Sequence, residues 1–416
     1  MPAEVIVSEL MELLQRVLSD SSGAELCELE QRAVEFGRKA AELALGCILE
    51  SKLDEPVAIK CECGGTARAK DTRSRTQVTL AGTHSILRTR YKCASCGEWI
   101  YPRDKELGIG ATNYSSGVIA LASEVAAGFA FGPCEEFLAR RFGLDMCYKQ
   151  VQRLAEKTGG ILAESEKAAS KAAVLPDLVL ESDEFPDMLT ISADGLMVHA
   201  GGAWSEMKVG TLISEYGRTS IATMDRCDDF GKYLYLEAIR RGERNAGKVV
   251  FVADGALWIW NLVAEHFPDA IEVVDWYHAT QHLWKVANCW YGESSNKAKI
   301  WVKANKLRLM EDGVHRVISS IRQWKPVTDE QEDVKRENLH YFTTNAHRML
   351  YATYRELDCY IGSGSVESAC KQYGHGRLKQ AGMRWKLDGI EAIAHLRSAL
   401  LNGRTDNILE AARIAA

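Results

Sequence analysis

The run VVFVADGALWIWNLV (249–263) limits the fold more than any other stretch of the chain, because five apolar residues end in a carboxylate and then a glycine. A run this short, bounded by polar turns, reads as a strand buried on both faces, with its last residue emerging at the edge of the sheet. Ligands of open α/β sheets bind outside the carboxyl ends of the strands, so Asp254 is placed for chemistry. The competing reading is that Asp254 only caps the helix beginning ALWIWNLV. A second strand-like segment, MLTISADGLMV (188–198), carries the same Ala-Asp-Gly at Asp194, which weakens the capping explanation. EMKVGTLISEY (206–216) and AIEVVDWYH (270–278) are also strand-like, and FGKYLYLEAIRRGE (230–243) is helical, so the chain from residue 188 reads as mixed α/β.

A length of 416 residues allows two to four domains. There is no signal-type leader, and the longest apolar run, VIALASEVAAGFAF (118–131), is short and contains Glu124, so it is not expected to span a membrane. A cytoplasmic protein is the expectation. Of twelve cysteines, four fall in pairs at metal-ligand spacing and the others are scattered singly, which fits a reducing compartment and one zinc site. The net charge of -6 conceals an uneven distribution. Residues 1–55 hold five Lys/Arg against twelve Asp/Glu, residues 56–104 nine against four, and residues 361–404 seven against three. Two basic regions suited to nucleic acid are therefore masked in the total.

Residues 1–55 have the spacing of two amphipathic helices, a packing or oligomerisation element. Residues 56–104 carry Cys61 and Cys63, a hairpin signal around AGTH, then Cys93 and Cys96. Two thiolate pairs joined by a small antiparallel sheet predict a zinc ribbon, although C-x-C is tighter than the common C-x-x-C; reduced surface cysteines are the alternative. Arg68, Lys70, Arg73, Arg75, Arg88, Arg90 and Lys92 surround it, consistent with phosphate contacts. Residues 105–175 return to helical spacing, and GPCEEFLARRFGLDMCYKQVQRLAEKTGG has the layout of a helix-turn-helix. Phe137, Leu138 and Phe142 would pack on Val151 and Leu154, leaving Tyr148, Lys149, Gln152 and Arg153 outward to read DNA. An ordinary helix pair is the alternative. KAAVLPDLVLESDEFPD (171–187) reads as a linker.

Asp194, Asp254 and Glu367 follow the order strand, strand, helix. Three carboxylates so carried can converge on two magnesium (or manganese) ions, hard cations that prefer oxygen ligands. Such a pair serves in-line phosphoryl displacement, the chemistry of nucleases and strand transfer. Any one of these residues taken alone is as easily structural. Asp275 and His278 form a second pair beyond a buried strand, able to order a water, hold a metal-bound carboxylate or contact DNA; a capping Asp with a satisfied histidine is the alternative. His282 reads as packing. After Glu367, the basic residues Lys371, Arg377, Lys379 and Arg384 are expected to line the path of a DNA backbone, unless Arg377 and Arg384 are solvated or pair with Asp388 and Glu391.

DGALWIWNLVAEHFPDAIEVVDWYHATQHLW, GSGSVESACK and GRLKQAGMRW, together with SADG, EMKVG and the paired cysteines, resemble the ISKra-type insertion-sequence transposases, relatives of the Mutator-like group, over residues 56–404. The resemblance implies a multidomain α/β protein with an RNase H-like catalytic core. Its DDE triad falls on Asp194, Asp254 and Glu367, and a D-x-x-H element falls on Asp275 and His278. It also implies an all-helical insertion in the 112 residues between Asp254 and Glu367. The organisation expected is a helical region (1–55), zinc ribbon (56–104), helix-turn-helix (105–175), core (185–278), insertion (279–360), core (361–404) and tail (405–416). Trp284, Trp290, Trp301 and Trp324 of the insertion read as helical core. The activity implied is DNA transposition on terminal inverted repeats and target DNA, by a homo-oligomer at the nucleoid. A DNA-binding regulator descended from such an enzyme, or a plain metal-dependent nuclease, is the alternative.

Overall fold

In the computed structural model, which describes residues 3–19, 23–50, 56–175 and 181–416, the acidic amino-terminal segment forms α1 (Ala3–Ser19) and α2 (Leu26–Glu50). A four-stranded antiparallel sheet in the order β1-β2-β3-β4 follows: β1 (Ala58–Lys60), β2 (Thr66–Thr79), β3 (Gly82–Cys93) and β4 (Trp99–Ile100). Its centre is the β2–β3 hairpin, paired from Thr79↔Gly82 to Ala67↔Cys93, so the hairpin is longer than the segment around AGTH indicates. The short helix α3 (Pro102–Glu106) leads to α4 (Ser116–Gly128), α5 (Phe131–Phe142) and α6 (Tyr148–Ala173). Gly143, at φ 66°, ends α5 in the left-handed conformation that a residue with a Cβ adopts at a cost.

Leu138, Val151 and Leu154 are buried as the α5–α6 pattern predicts, and Leu144 and Met146 of the connecting turn, which it did not include, are buried with them. Phe137 and Phe142 are not: they are 38% and 40% exposed, and Phe137 packs on Phe129 with ring centroids 5.9 Å apart. Helical periodicity cannot separate a core stripe from an aromatic shoulder beside it. The carboxyl-terminal residues, expected as a tail, form α16 (Thr405–Ala415), which packs on α4; Lys157 Nζ donates to the Ala415 carbonyl at 2.6 Å. Residues 171–173 of the expected linker are the last of α6, and residues 176–180 lie outside the described residues. The chain divides into two compact units, residues 1–161 with 405–416 and residues 162–404.

The second unit is built on a five-stranded sheet in the order β7-β6-β5-β8-β9. β5 (Leu189–Ala200), β6 (Ala203–Ser214) and β7 (Gly217–Thr223) form an antiparallel meander; β7, which opens on Gly217 at φ 122°, is not among the segments read as strands. α7 (Cys227–Arg240) then carries the chain back, so that β8 (Val249–Ala253) pairs parallel to β5. α8 (Leu257–His266) does the same for β9 (Ile271–Val274), parallel to β8. The interior strands are buried on both faces, which is why β8 reads as a continuous apolar run.

The insertion consists of α9 (Trp276–Tyr291), α10 (Asn296–Met310), α11 (Val314–Arg322), α12 (Asp329–Thr344) and α13 (Tyr351–Glu356). α14 (Gly364–Tyr373) and α15 (Leu387–Leu401) return to the sheet. One contiguous core joins Val250 and Val252 of the sheet to Leu283, Val302, Ile318 and Phe342 of the insertion. Each such side chain contributes about 1.5–3 kcal/mol, so the insertion is integral to the unit. Trp290 stacks on Trp324 at 4.0 Å and Trp301 lies 4.9 Å from Trp324, an aromatic cluster internal to the helices. Among the described residues no helix is long and apolar enough to cross a membrane.

Candidate functional site

Strand register alone brings the acidic residues together. β5 and β8 pair as Thr190↔Val250 and Ser192↔Val252, so the next pleat sets Asp194 level with Asp254, just past the last residue of β8. β8 and β9 pair as Val252↔Val273 and Ala253↔Val274, which sets Asp275 level with Asp254; the Asp275 N–H continues the ladder to the Ala253 carbonyl at 2.7 Å. Neighbouring strands lie about 4.8 Å apart, and residues two apart share a face. Asp194 and Asp254 are therefore side by side where β8 ends, although β5 does not end at Asp194 but runs on to Ala200 beside β6. Burial, and then the negative charge of Asp254, push the Asp194 carboxyl above its usual range, while the Gly195 N–H, His278 and Cys370 act in the opposite sense.

Asp254 is not the residue at which α8 is capped. That position is Ala256, which has no side-chain cap, and Asp254 Oδ1 accepts the Ala256 N–H at 2.9 Å to close the preceding turn. Gly255 sits at φ +107°, and a Cβ there would meet Tyr341 Cε2 at 2.9 Å, so the turn admits glycine on two counts. The Tyr341 hydroxyl donates to the Asp254 carbonyl at 3.0 Å. α12 of the insertion thus holds the backbone that carries this carboxylate.

Glu367 lies in the first turn of α14, which packs across β5 and β6; Ser365 Oγ meets Thr211 Oγ1 at 3.1 Å. One turn on, the Cys370 thiol donates to Asp194 Oδ2 at 3.7 Å. Burial, with Asp194 and Glu367 nearby, pushes that thiol up to about 12. Cys370 was not singled out from the sequence, yet its spacing of three from Glu367 puts both on one helix face. Asp194, Asp254 and Glu367 are therefore carried to one region by three separate elements, with His278 near enough to Asp194 to favour its charged form.

Asp275 has a different place from the expected catalytic one. It is 1% exposed, its Oδ1 accepts the His278 N–H at 2.8 Å as the cap of α9, and its Oδ2 accepts the Ser363 N–H. Both oxygens are engaged by backbone, so Asp275 is a structural carboxylate joining β9 to the residue that begins α14. The Trp276 N–H donates to the Ile361 carbonyl at 2.8 Å, tying the start of the insertion to its end. His282 is the packing residue expected: it stacks on Tyr341 at 3.6 Å and its Nδ1 meets Asn338 Oδ1 at 2.7 Å. Since Asn338 Nδ2 donates to the Val334 carbonyl, Oδ1 faces the ring and Nδ1 carries the proton.

The four expected thiols gather. Cys61 Sγ lies 3.6 Å from Cys96 Sγ, Cys63 Sγ lies 3.6 Å from Cys93 Sγ, and all four sulfurs fall within 4.8 Å of one another. Two similar turns present them, one closed by Gly64 N–H to Cys61 O at 2.9 Å, the other by Gly97 N–H to Cys93 O at 3.2 Å. Both glycines have positive φ. Backbone N–H groups of Cys96 and Ser95 lower the Cys93 thiol to about 6. Four sulfurs at this spacing match a tetrahedron with bonds of about 2.3 Å, so the site could hold a metal such as zinc. Among the described residues this is the one group of three or more Cys, His, Asp or Glu side chains so gathered; the acidic row is looser.

The expected basic contacts divide. Tyr148, Lys149, Arg153 and Arg384 are exposed, and Gln152, half-buried, donates to Glu156 at 2.8 Å. Arg88 pairs with Asp104 and lies over Tyr101; Arg90 pairs with Asp71 and lies over Trp99. Arg377 cannot meet a DNA backbone: it is 0% exposed, in the π-helical turn Gly374–Leu378, with its guanidinium 5.0 Å from the Trp385 ring. Its spacing of four from Tyr373 and eleven from Val366, both buried, puts it on the inward face of the α14 direction. Lys379 is half-buried, 5.6 Å over Trp204.

A family model described as an uncharacterised protein family, UPF0236, matches residues 20–412. No curated protein matches the sequence.

Replacing Cys93 and Cys96 by Ser is expected to abolish zinc binding and loosen residues 58–100 locally, because structural zinc supplies folding energy to small modules. Metal analysis checks this, and unchanged zinc content contradicts it. Asp194→Asn tests the acidic row. A carboxyl raised above its unfolded value of about 3.9 binds protons more tightly when folded, so stability falls as pH rises from that value through the folded one. The Asn variant should lack this fall and, in chelator at neutral pH, gain on the order of 1 kcal/mol, about 2–4 °C in melting temperature. A variant less stable than wild type there, with the same pH slope, contradicts the reading.

Proposed function

The chain belongs to the uncharacterised protein family UPF0236, and from that footing we propose that it is a DNA transposase. In this reading it binds the terminal inverted repeats of its own element, hydrolyses a phosphodiester, and transfers the resulting 3′ hydroxyl to target DNA. One observation carries it: Asp194, in the middle of β5, stands level with Asp254, just past the end of the adjacent parallel strand β8, and Glu367 is returned toward Asp194 by a helix that follows the insertion. The sheet order, an antiparallel meander followed by two parallel strands, is that expected of an RNase H-like core, and the interruption falls where the ISKra-type resemblance puts it.

The donor set fits divalent cations. It consists of hard oxygen ligands, and Asp194 is penalised by an adjacent like charge that a cation would relieve. Asp194, Asp254 and Glu367 would hold two magnesium or manganese ions, which when bound supply activation of an attacking oxygen and charge stabilisation at a leaving one. The rest is the work of the chain. Asp275 fixes the start of α14 so that Glu367 approaches from a constant direction. Tyr341 fixes the Asp254 backbone, and His278 offers a half-buried imidazole beside Asp194. Residues 56–104 act as a zinc ribbon, and α5 with α6 as a helix-turn-helix that presents Tyr148, Lys149 and Arg153 to DNA. A homo-oligomer brings two element ends together.

Incubating the protein with magnesium and DNA carrying the element's ends should give joined products. Asp254→Ala should lower joining by at least about 10³-fold while end binding stays within about twofold, since it removes a cation ligand and no phosphate contact. Strand transfer at wild-type rate in that variant would sink the proposal. Binding with no cleavage by the wild type would point to a regulator instead, and cleavage of unrelated duplexes to a nuclease.

A further inference from the structure

The charge of the helical insertion is divided between two halves. Residues 296–325, which include α10 and α11, hold eight Lys/Arg against two acids, whereas the remainder of residues 279–360 holds five against eight. α10 itself has five Lys/Arg and no acid, and two of these, Lys297 and Lys299, stand near its amino end, where the helix dipole disfavours positive charge. Helix stability does not explain such an arrangement. Elsewhere in the insertion, cations are engaged: Lys285 pairs with Glu337, Arg316 with Glu311, and Lys335 donates to the Trp324 carbonyl. Lys297, Lys299, Lys303 and Lys306 have no carboxylate partner among the described residues.

Three of these lysines form a stripe. Lys299, Lys303 and Lys306 follow the i, i+4, i+7 rule, and they flank a face on which Ile300 and Leu307 are 70% and 62% exposed. The opposite face, through Ala298, Val302, Asn305 and Leu309, is buried against the rest of the insertion, so the stripe's orientation is fixed. At 1.5 Å per residue the three cations span about 10 Å, the axial run of about three phosphates of one DNA strand.

We propose that the Lys299–Lys303–Lys306 stripe of α10 is a docking surface for the phosphate backbone of duplex DNA, supplied by the insertion and separate from the acidic row and from α6. Lysine suits this role as a point charge on a flexible stem, able to follow a backbone without reading bases. The inference rests on the reading of the chain as a DNA-acting protein, but it concerns binding alone and needs no chemistry.

The test is the salt dependence of affinity for a 30-bp duplex of arbitrary sequence, measured in chelator from low to moderate salt. Each phosphate contact adds about 0.9 to the slope of log K against log salt. Lys299→Gln with Lys303→Gln and Lys306→Gln should lower the slope by about two to three and weaken low-salt binding at least tenfold, with the fold retained by circular dichroism. A control triple, Lys171→Gln with Arg226→Gln and Arg244→Gln, removes the same charge from dispersed exposed positions of the same unit and should leave the slope within one. An unchanged slope in the stripe variant, or an equal drop in the control, overturns the docking surface alone. Failure of the wild type to bind any duplex overturns the docking surface and the transposase reading together. A slope change confined to single-stranded RNA overturns the duplex assignment.

Discussion

The acidic edge depends on the parallel register of β5, β8 and β9. With Ser192 opposite Val252 and Ala253 opposite Val274, Asp194, Asp254 and Asp275 fall in one row across three strands. A slip of one residue would turn every side chain of a strand to the other face. Such a slip in β8 would exchange Phe251 with Val250 and Val252 between two packed faces, so the core that fits those side chains also holds the carboxylates in place. The like-charge cost at Asp194 is tolerable because that packing determines the backbone independently of the site.

The three aspartates in the row differ in what they face. Asp275 is closed off by two backbone N–H groups and has become part of the frame. Asp254 has its carbonyl held by Tyr341 and one oxygen used by its own turn. Asp194 meets the Cys370 thiol of the Glu367 helix. The insertion is accordingly more than an appendage: its first residues anchor α14 and its fourth helix braces Asp254, so its two ends are tied at the point where the sheet chemistry would occur. The helical segment between Asp254 and Glu367 thus closes back on the strand end it leaves.

Much of this was legible in the sequence where local pattern and tertiary role agree. The strand ending at Ala253 is apolar because it is buried on both faces, and the cysteine pairs are recognisable because a four-sulfur site needs them at close spacing. The errors arose where tertiary geometry decides. Asp275 and Asp254 follow similar apolar runs, and only the return of Ser363 distinguishes a buried clamp from an open carboxylate. Arg377 reads from its charge as a phosphate contact, yet its spacing from Val366 and Tyr373 puts it on the buried face. Phe137 and Phe142 obey helical spacing yet stay outside the core, and Cys370 carries no motif of its own.

The central claim is that Asp194, Asp254 and Glu367 form one cation site at the edge of the sheet. Anomalous diffraction at the manganese edge, from crystals soaked in manganese, addresses it most directly. The account predicts anomalous density bounded by those three carboxylates, reduced or lost in an Asp254→Ala crystal. Well-ordered carboxylates with no density between them in the wild type, at manganese concentrations that support binding elsewhere on the protein, would contradict it.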